Sequence, residues 1–219
     1  MCGRFTTTAG PKELTKQIGQ QLGVQIRESI KTDPWDIRPT QQVLAIVAPE
    51  GKPEATMLRW SLVPWWATEL KTRRPMFNAR IEGLIEKNAY AKVPLDGLHR
   101  GLILGDGFFE WEHPEDKKLK GQPFRFTVDG GRPFAFPGIW TVNKKIEGGP
   151  IRSCTMITCD SAPNPLVHKV HDRMPGILTE LEEFRAWLSP DVAAQDALSL
   201  ITAFPAERMS VEARQPGRE

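Results

Sequence analysis

At 219 residues, with 40% hydrophobic and 26% charged content, the chain is long enough for one sizeable core and has the balance of an ordinary soluble globular protein. No apolar run approaches the roughly 18 residues of a membrane span, and the first 30 residues carry Lys12, Glu13, Lys16, Arg27 and Glu28 in place of a secretory segment, so a cytosolic protein is expected. A net charge of +2 does not announce a nucleic-acid binder, yet residues 1–100 hold 15 Lys and Arg against 10 Asp and Glu, while residues 101–219 hold 14 against 17.

The chain opens Met1-Cys2-Gly3-Arg4-Phe5. Removal of Met1 would leave a cysteine with a free α-amine, and that pair condenses with an aldehyde first to an imine and then to a five-membered thiazolidine. An α-amine with a pKa of roughly 7.7 to 8 is partly unprotonated at neutral pH, and an internal cysteine has no such partner. Leu14, Ile18 and Leu22 recur at helical spacing between Pro11 and Gly23, which predicts an amphipathic helix over 11–22. Strands are predicted at 42–48, 55–60, 99–104, 107–112, 123–128, 134–142 and 152–159, with turn-rich separators that suit a mostly antiparallel sheet. Residues 115–120 read as a hairpin tip. A capping box at Thr179 and Glu182 opens a second helix, and Ser189-Pro190 opens a third that runs to about Ile201. Residues 207–219 read as a poorly ordered tail. Helices at both ends of a β-rich middle define an α+β chain.

Arginines lie among tryptophans in the basic half: Arg38 near Trp35, Arg59 beside Trp60, and Arg73 and Arg74 after Trp65 and Trp66. Such a mixture suits phosphates and stacked bases, although most such arginines are solvated surface. Cys154 and Cys159 fall on opposite faces of one strand, a spacing for packing and not for zinc or a local disulfide. No P-loop, dinucleotide-binding glycine pattern or metal-ligand spacing is found, and no cofactor is expected.

Four segments string reactive residues among apolar ones: Trp60 to Trp66, Phe77 to Glu82, Gly107 to Trp111, and Val170 to Pro175. Glu110 points away from Phe109 and Trp111, into solvent or a cleft, and strand alternation alone favours solvent. For His171 the plain reading is a surface or satisfied core histidine, for Asn78 a turn residue, and for Arg80 an ordinary surface arginine.

Together with Met1-Cys2-Gly3-Arg4-Phe5, these segments resemble the SRAP family, the SOS response-associated peptidases, from Cys2 to about Val211. The resemblance implies one domain, taken as 1–204 with a tail at 205–219. Its fold would be a bifurcated, mostly antiparallel β-sheet forming a pseudo-barrel with flanking helices. It also implies a basic groove for single-stranded DNA, covalent bonding to abasic sites, and autocatalytic removal of Met1. By the same resemblance Cys2 is the nucleophile and aldehyde trap, Asn78 orients it, Glu110 is the catalytic glutamate and His171 the histidine of the His-Asp-Arg-Met-Pro motif. Arg4, Arg80 and Arg173 look like phosphate-binding or site-organising arginines, Trp65 and Trp66 like a wedge beside the lesion, and Thr158 like the threonine of the loop before His171.

The chain departs from the family pattern at Asp36, usually asparagine, at Arg38, usually small and here counted with the DNA-contacting residues, at Gly105, and at Ser61, usually glycine. About two extra residues lie near Ser161-Ala162-Pro163. An abasic deoxyribose is mostly a closed hemiacetal, so its opening needs a general acid/base, for which His171 is suited near neutral pH. Two other functions fit part of the pattern. A non-catalytic reader of modified DNA would use the groove and leave Cys2 free. An N-terminal-nucleophile amidohydrolase would need an Asn-Gly pair, and Asn78, Asn88, Asn143 and Asn164 are not followed by glycine. A monomer is the default, since heptads and a large apolar stripe are lacking.

Overall fold

The computed structural model describes residues 2–27, 33–70, 75–84, 93, 95–112 and 121–217. The expected hairpin tip at 115–120, and Arg73 and Arg74, lie outside the described residues. Every strand expected from the sequence forms: β2 (Gln42–Val47), β3 (Glu54–Trp60), β5 (Arg100–Gly105), β6 (Gly107–Trp111), β7 (Pro123–Val128), β8 (Phe134–Asn143) and β9 (Ile151–Asp160). Four more were not expected: β1 (Arg4–Thr6), β4 (Asn78–Arg80), β10 (Arg173–Pro175) and β11 (Met209–Ala213).

In the larger sheet β9, β3, β2, β5 and β8 pair in turn, and β8 pairs back onto β9 to close a five-stranded barrel. All neighbours in the ring are antiparallel except β3 and β9, which run parallel. Closure explains why β2 and β5 read as nearly unbroken apolar runs, because one face fills the barrel and the other is covered. Over β5 lies α3 (Leu181–Leu188), whose Trp187 is fully buried and donates its indole N–H to the Gly101 carbonyl at 3.0 Å. The smaller sheet has the order β1, β6, β7, β11. It is joined to the barrel by Phe5, whose ring packs edge-on against Trp60 and Phe136 at centroid distances of 5.1 and 5.4 Å.

Four expectations change. The helix from Pro11 begins as α1 (Pro11–Leu14), widens into a π-helical turn over Thr15–Gly19 and tightens over Gln20–Leu22, ending at left-handed Gly23 as predicted. The capping box lies one residue later, with the Glu183 carboxylate accepting from the backbone N–H groups of Thr179 and Glu180 at 2.8 and 2.9 Å. The expected third helix does not start at Ser189. That residue is extended, as the position before a proline prefers, and buried Arg100 takes the carbonyls of Ser189 and Val192. Only α4 (Ala194–Ser199) forms from that stretch. Part of the stretch expected as a loose tail is also ordered: Met209–Ala213 is paired along its whole length with β7 and completes the second sheet, and the Arg214 guanidinium lies 4.5 Å from the Trp35 ring centroid. A short α2 (Pro165–His168), capped by the Asn164 side chain, precedes β10.

Candidate active site around Cys2

The new short strands carry Asn78 or lie next to Cys2 and His171, while Glu110 sits on the expected β6. β1 pairs with β6 in the register Arg4 to Phe109, which, continued outward, brings Gly3 level with Glu110 and Cys2 one step beyond. The arm is fixed by Asp106, a buried corner residue that accepts from the Thr6 and Thr8 hydroxyls and from the backbone N–H groups of Thr8 and Ala9. Gly107 follows because the space is filled: an added Cβ would come within 2.9 Å of the Thr6 hydroxyl and 3.0 Å of the Phe126 carbonyl. β4 and β10 flank the C-terminal half of β9, with Arg80 and Pro175 both level with Thr158.

Cys2 is fully buried. The Asn78 side-chain amide donates to its carbonyl at 2.6 Å, and its thiol points at the Arg4 carbonyl at 3.5 Å. Glu110 is 2% exposed, which overturns the solvent face that strand alternation favoured. Alternation predicts which face a side chain takes. Here the face opposite Phe109 and Trp111 is covered by the N-terminal arm.

Burial pushes the Glu110 carboxyl up to about 7, partly opposed by the positive amino terminus of the chain and helped by the charge of Asp172. Burial also raises the Cys2 thiol well above its ordinary range, and the Glu110 charge raises it further. The two shifts agree in sign and place both groups in one dry pocket, with the His-Asp-Arg-Met-Pro segment close enough for Asp172 to be felt. The thiol is therefore protonated at neutral pH, while Glu110 is poised to take or give a proton there.

His171 keeps a side chain 10% exposed, with Nδ1 2.8 Å from the Asp172 carboxylate and 3.0 Å from the Arg173 backbone N–H. Nδ1 cannot serve both at once. An Nδ1 without a proton accepts from the Arg173 N–H and leaves the ring proton on Nε2, whereas an Nδ1–H donates to Asp172.

The arginines divide. Arg173 is buried, forks onto both oxygens of Glu82 at 2.7 and 2.9 Å and reaches the Thr158 carbonyl at 2.6 Å, so it ties β10 to β9 and the Glu82 turn. Thr158 is fully buried with its hydroxyl directed at the Ala79 carbonyl. Both side chains are buried and tie β9 to its neighbours. Arg80 is exposed. Arg4 and Arg38 share Asp36, a buried carboxylate 2.7 Å from Arg4 and in contact with the Arg38 guanidinium, and Arg4 also lies 5.7 Å from the Trp111 ring centroid. Asp36 and Arg38 thus form an ion pair, with Arg4 on the other carboxylate oxygen. Asp36, Glu82 and Asp106 are the site-organising residues that sequence reasoning did not assign. Their signal was weak, since each is one acidic residue in a turn.

Of the seven tryptophans only Trp65 and Trp66, at 45% and 38%, are exposed. Trp60 is core, with its N–H on the Phe77 carbonyl, and Trp35 is sandwiched by Arg125 and Arg214. The Arg59 and Trp60 pairing is therefore not a surface motif. A surface depression of about 890 Å³ runs beside α1 between Gly10 and Ile26 and contains none of the candidate residues.

Comparison with known proteins shows the family and the fold. The chain is 34% identical over 210 residues to the abasic site processing protein YoqW of Bacillus subtilis, covering 95% of this chain and 90% of that one. It is 31% identical over 173 residues to the abasic site processing protein HMCES of Gallus gallus, covering 70% of this chain and 50% of that one. Crystal structures of proteins from Bordetella bronchiseptica and Bacteroides thetaiotaomicron share the fold, each with a TM-score of 0.79. They are 22% and 23% identical, cover 98% of this chain, and are themselves covered over 100% and 92% of their lengths. The model of the family named SOS response associated peptidase (SRAP) matches residues 1–215, and the chain belongs to that family.

Proposed function

We propose that this protein processes abasic sites in single-stranded DNA by bonding to them covalently through Cys2, after excising its own Met1. One observation carries the reading: Asn78 holds the Cys2 carbonyl at 2.6 Å in a buried pocket whose carboxyl, Glu110, is poised near neutrality. In the peptidase step Glu110 takes a proton from water, which adds to the Met1 carbonyl carbon. Glu110 returns that proton to the Cys2 nitrogen as the Met1–Cys2 bond breaks, releasing methionine and the Cys2 amine.

In the DNA step His171 moves the proton that opens the hemiacetal. Glu110 deprotonates the Cys2 ammonium, the amine adds to the aldehyde carbon, and one water leaves to give the imine. The thiol then adds to the same carbon and its proton passes to nitrogen, closing the thiazolidine with net loss of one water. The raised thiol pKa suits that order, since a protonated thiol leaves the first attack to the amine and arrives with the proton that the nitrogen needs. Arg4, Arg38 and Arg80 supply phosphate contacts, and Trp65 and Trp66 stack on the strand.

The test is to mix Met1-processed protein with a single-stranded oligonucleotide bearing one natural abasic site. A band that survives denaturant, is absent with a tetrahydrofuran analogue and is absent with Cys2→Ala is expected. Reversible binding alone would mark a DNA reader, and neither binding nor a band would send the search to amide hydrolysis.

A further inference from the structure

Resting on that reading, we propose that Asn143 is a positioning residue for DNA capture, acting through the tip formed by Trp65 and Trp66. The Ala67 N–H bonds back to the Pro64 carbonyl at 3.0 Å, closing a turn whose two central residues are the exposed tryptophans. Asn143, fully buried at the end of β8, donates its side-chain N–H groups to the carbonyls at both ends of this turn, Pro64 at 2.6 Å and Ala67 at 2.9 Å. Its side-chain oxygen accepts from the backbone N–H groups of Lys145 and Ile146 at 2.7 and 3.1 Å. One amide thereby clamps the tryptophan turn to the turn that follows β8.

The second turn reaches the first again on the outside. The Lys145 ammonium sits 5.2 Å from the Trp65 ring centroid, and Trp66 meets Trp65 edge-on at 5.8 Å. Two large rings left in solvent are easily displaced unless their backbone is held. Asn143 supplies that hold from the core, so a base entering from the strand meets a platform already in place and loses less freedom on binding.

Asn143→Asp keeps the acceptor for Lys145 and Ile146 but replaces the donors that hold Pro64 and Ala67. Asn143→Ala removes both halves of the clamp. The experiment compares adduct formation at limiting protein with abasic single-stranded DNA and with 2-deoxyribose 5-phosphate, which offers the aldehyde without a neighbouring base. Both variants are expected to lose about tenfold or more toward DNA, the scale of one lost base–aromatic stack, and to keep the reaction with the sugar phosphate. In a Trp65→Ala/Trp66→Ala background, adding Asn143→Asp is expected to change nothing further. An undiminished DNA reaction, an equal loss toward the sugar phosphate, or a full extra loss in the double-alanine background would each overturn the proposal. Wild-type protein that forms no adduct with either aldehyde would instead overturn the parent reading.

Discussion

The pocket around Cys2 and the turn bearing Trp65 and Trp66 are built to opposite rules. The first is dry: Cys2 is 0% and Glu110 2% exposed, and the protein uses exclusion of water to move proton affinities. The second is wet, with large apolar rings held outward by polar atoms buried beneath them. The aldehyde chemistry proposed above needs tuned protons, which burial and neighbouring charges supply in the pocket. Capture of a flexible strand needs reachable rings, which only the surface supplies. In this chain a buried polar side chain distant in sequence holds each region, Asp106 at the corner between β5 and β6 for the N-terminal arm and Asn143 at the end of β8 for the tip.

Substitutions can break the comparison in order of size. Cys2→Ala should abolish the denaturant-stable adduct altogether while leaving reversible binding to undamaged single-stranded DNA within about twofold, because the contacts assigned to the strand lie elsewhere. Glu110→Gln should slow adduct formation by about 10²- to 10⁴-fold, the usual span for loss of a general acid/base, and should remove the rise in rate across pH 6 to 8 that Glu110 contributes. The same substitution should stabilise the fold.

Glu110 has a folded pKa of about 7 against 4.5 for an ordinary carboxyl, so folded chains bind this proton more tightly and pay for its loss as pH rises. The destabilisation is absent below pH 4.5, grows between 4.5 and 7, and reaches about 3 kcal/mol above 7. Denaturant melts of Glu110→Gln and wild type at pH 4 and pH 8 should therefore coincide at the first and diverge at the second. Equal stability at pH 8 would remove Glu110 from the dry pocket.

Trp65→Ala/Trp66→Ala should cost about 1–3 kcal/mol of single-strand affinity per lost stack, read by titration, with melting nearly unchanged because both rings are largely outside the core. The smallest effect is expected at Ser61, which joins buried Trp60 to the segment leading to the tip. Its φ of 148° is a conformation that L side chains rarely adopt. Ser61→Gly should relieve that strain and stabilise the fold by up to about 1 kcal/mol, net of the bond from the Met76 N–H to its hydroxyl and of the entropy glycine loses. A destabilised Ser61→Gly would mean that the hydroxyl, and not the backbone, decides this position.

What was legible in the sequence follows its periodicity. The barrel strands announced themselves as short alternating or continuous apolar runs between turn residues, and the match of the N-terminal pentad with four internal motifs identified the family. The strands that build the site did not. β1, β4 and β10 are three residues each, too short for a period, and exist because β6 and β9 offer them edges to pair with. For the same reason the expected tail became a strand once the edge of β7 was available.

Residue types and order thus determined the fold class and the cast of reactive side chains: a cysteine at position 2, an asparagine, a glutamate and a histidine in fixed succession. Only the tertiary structure decided that Glu110, Thr158 and Arg173 are buried and that two of seven tryptophans are presented. Burial is a property of what packs against a residue from a distant part of the chain, and no local pattern encodes that neighbour.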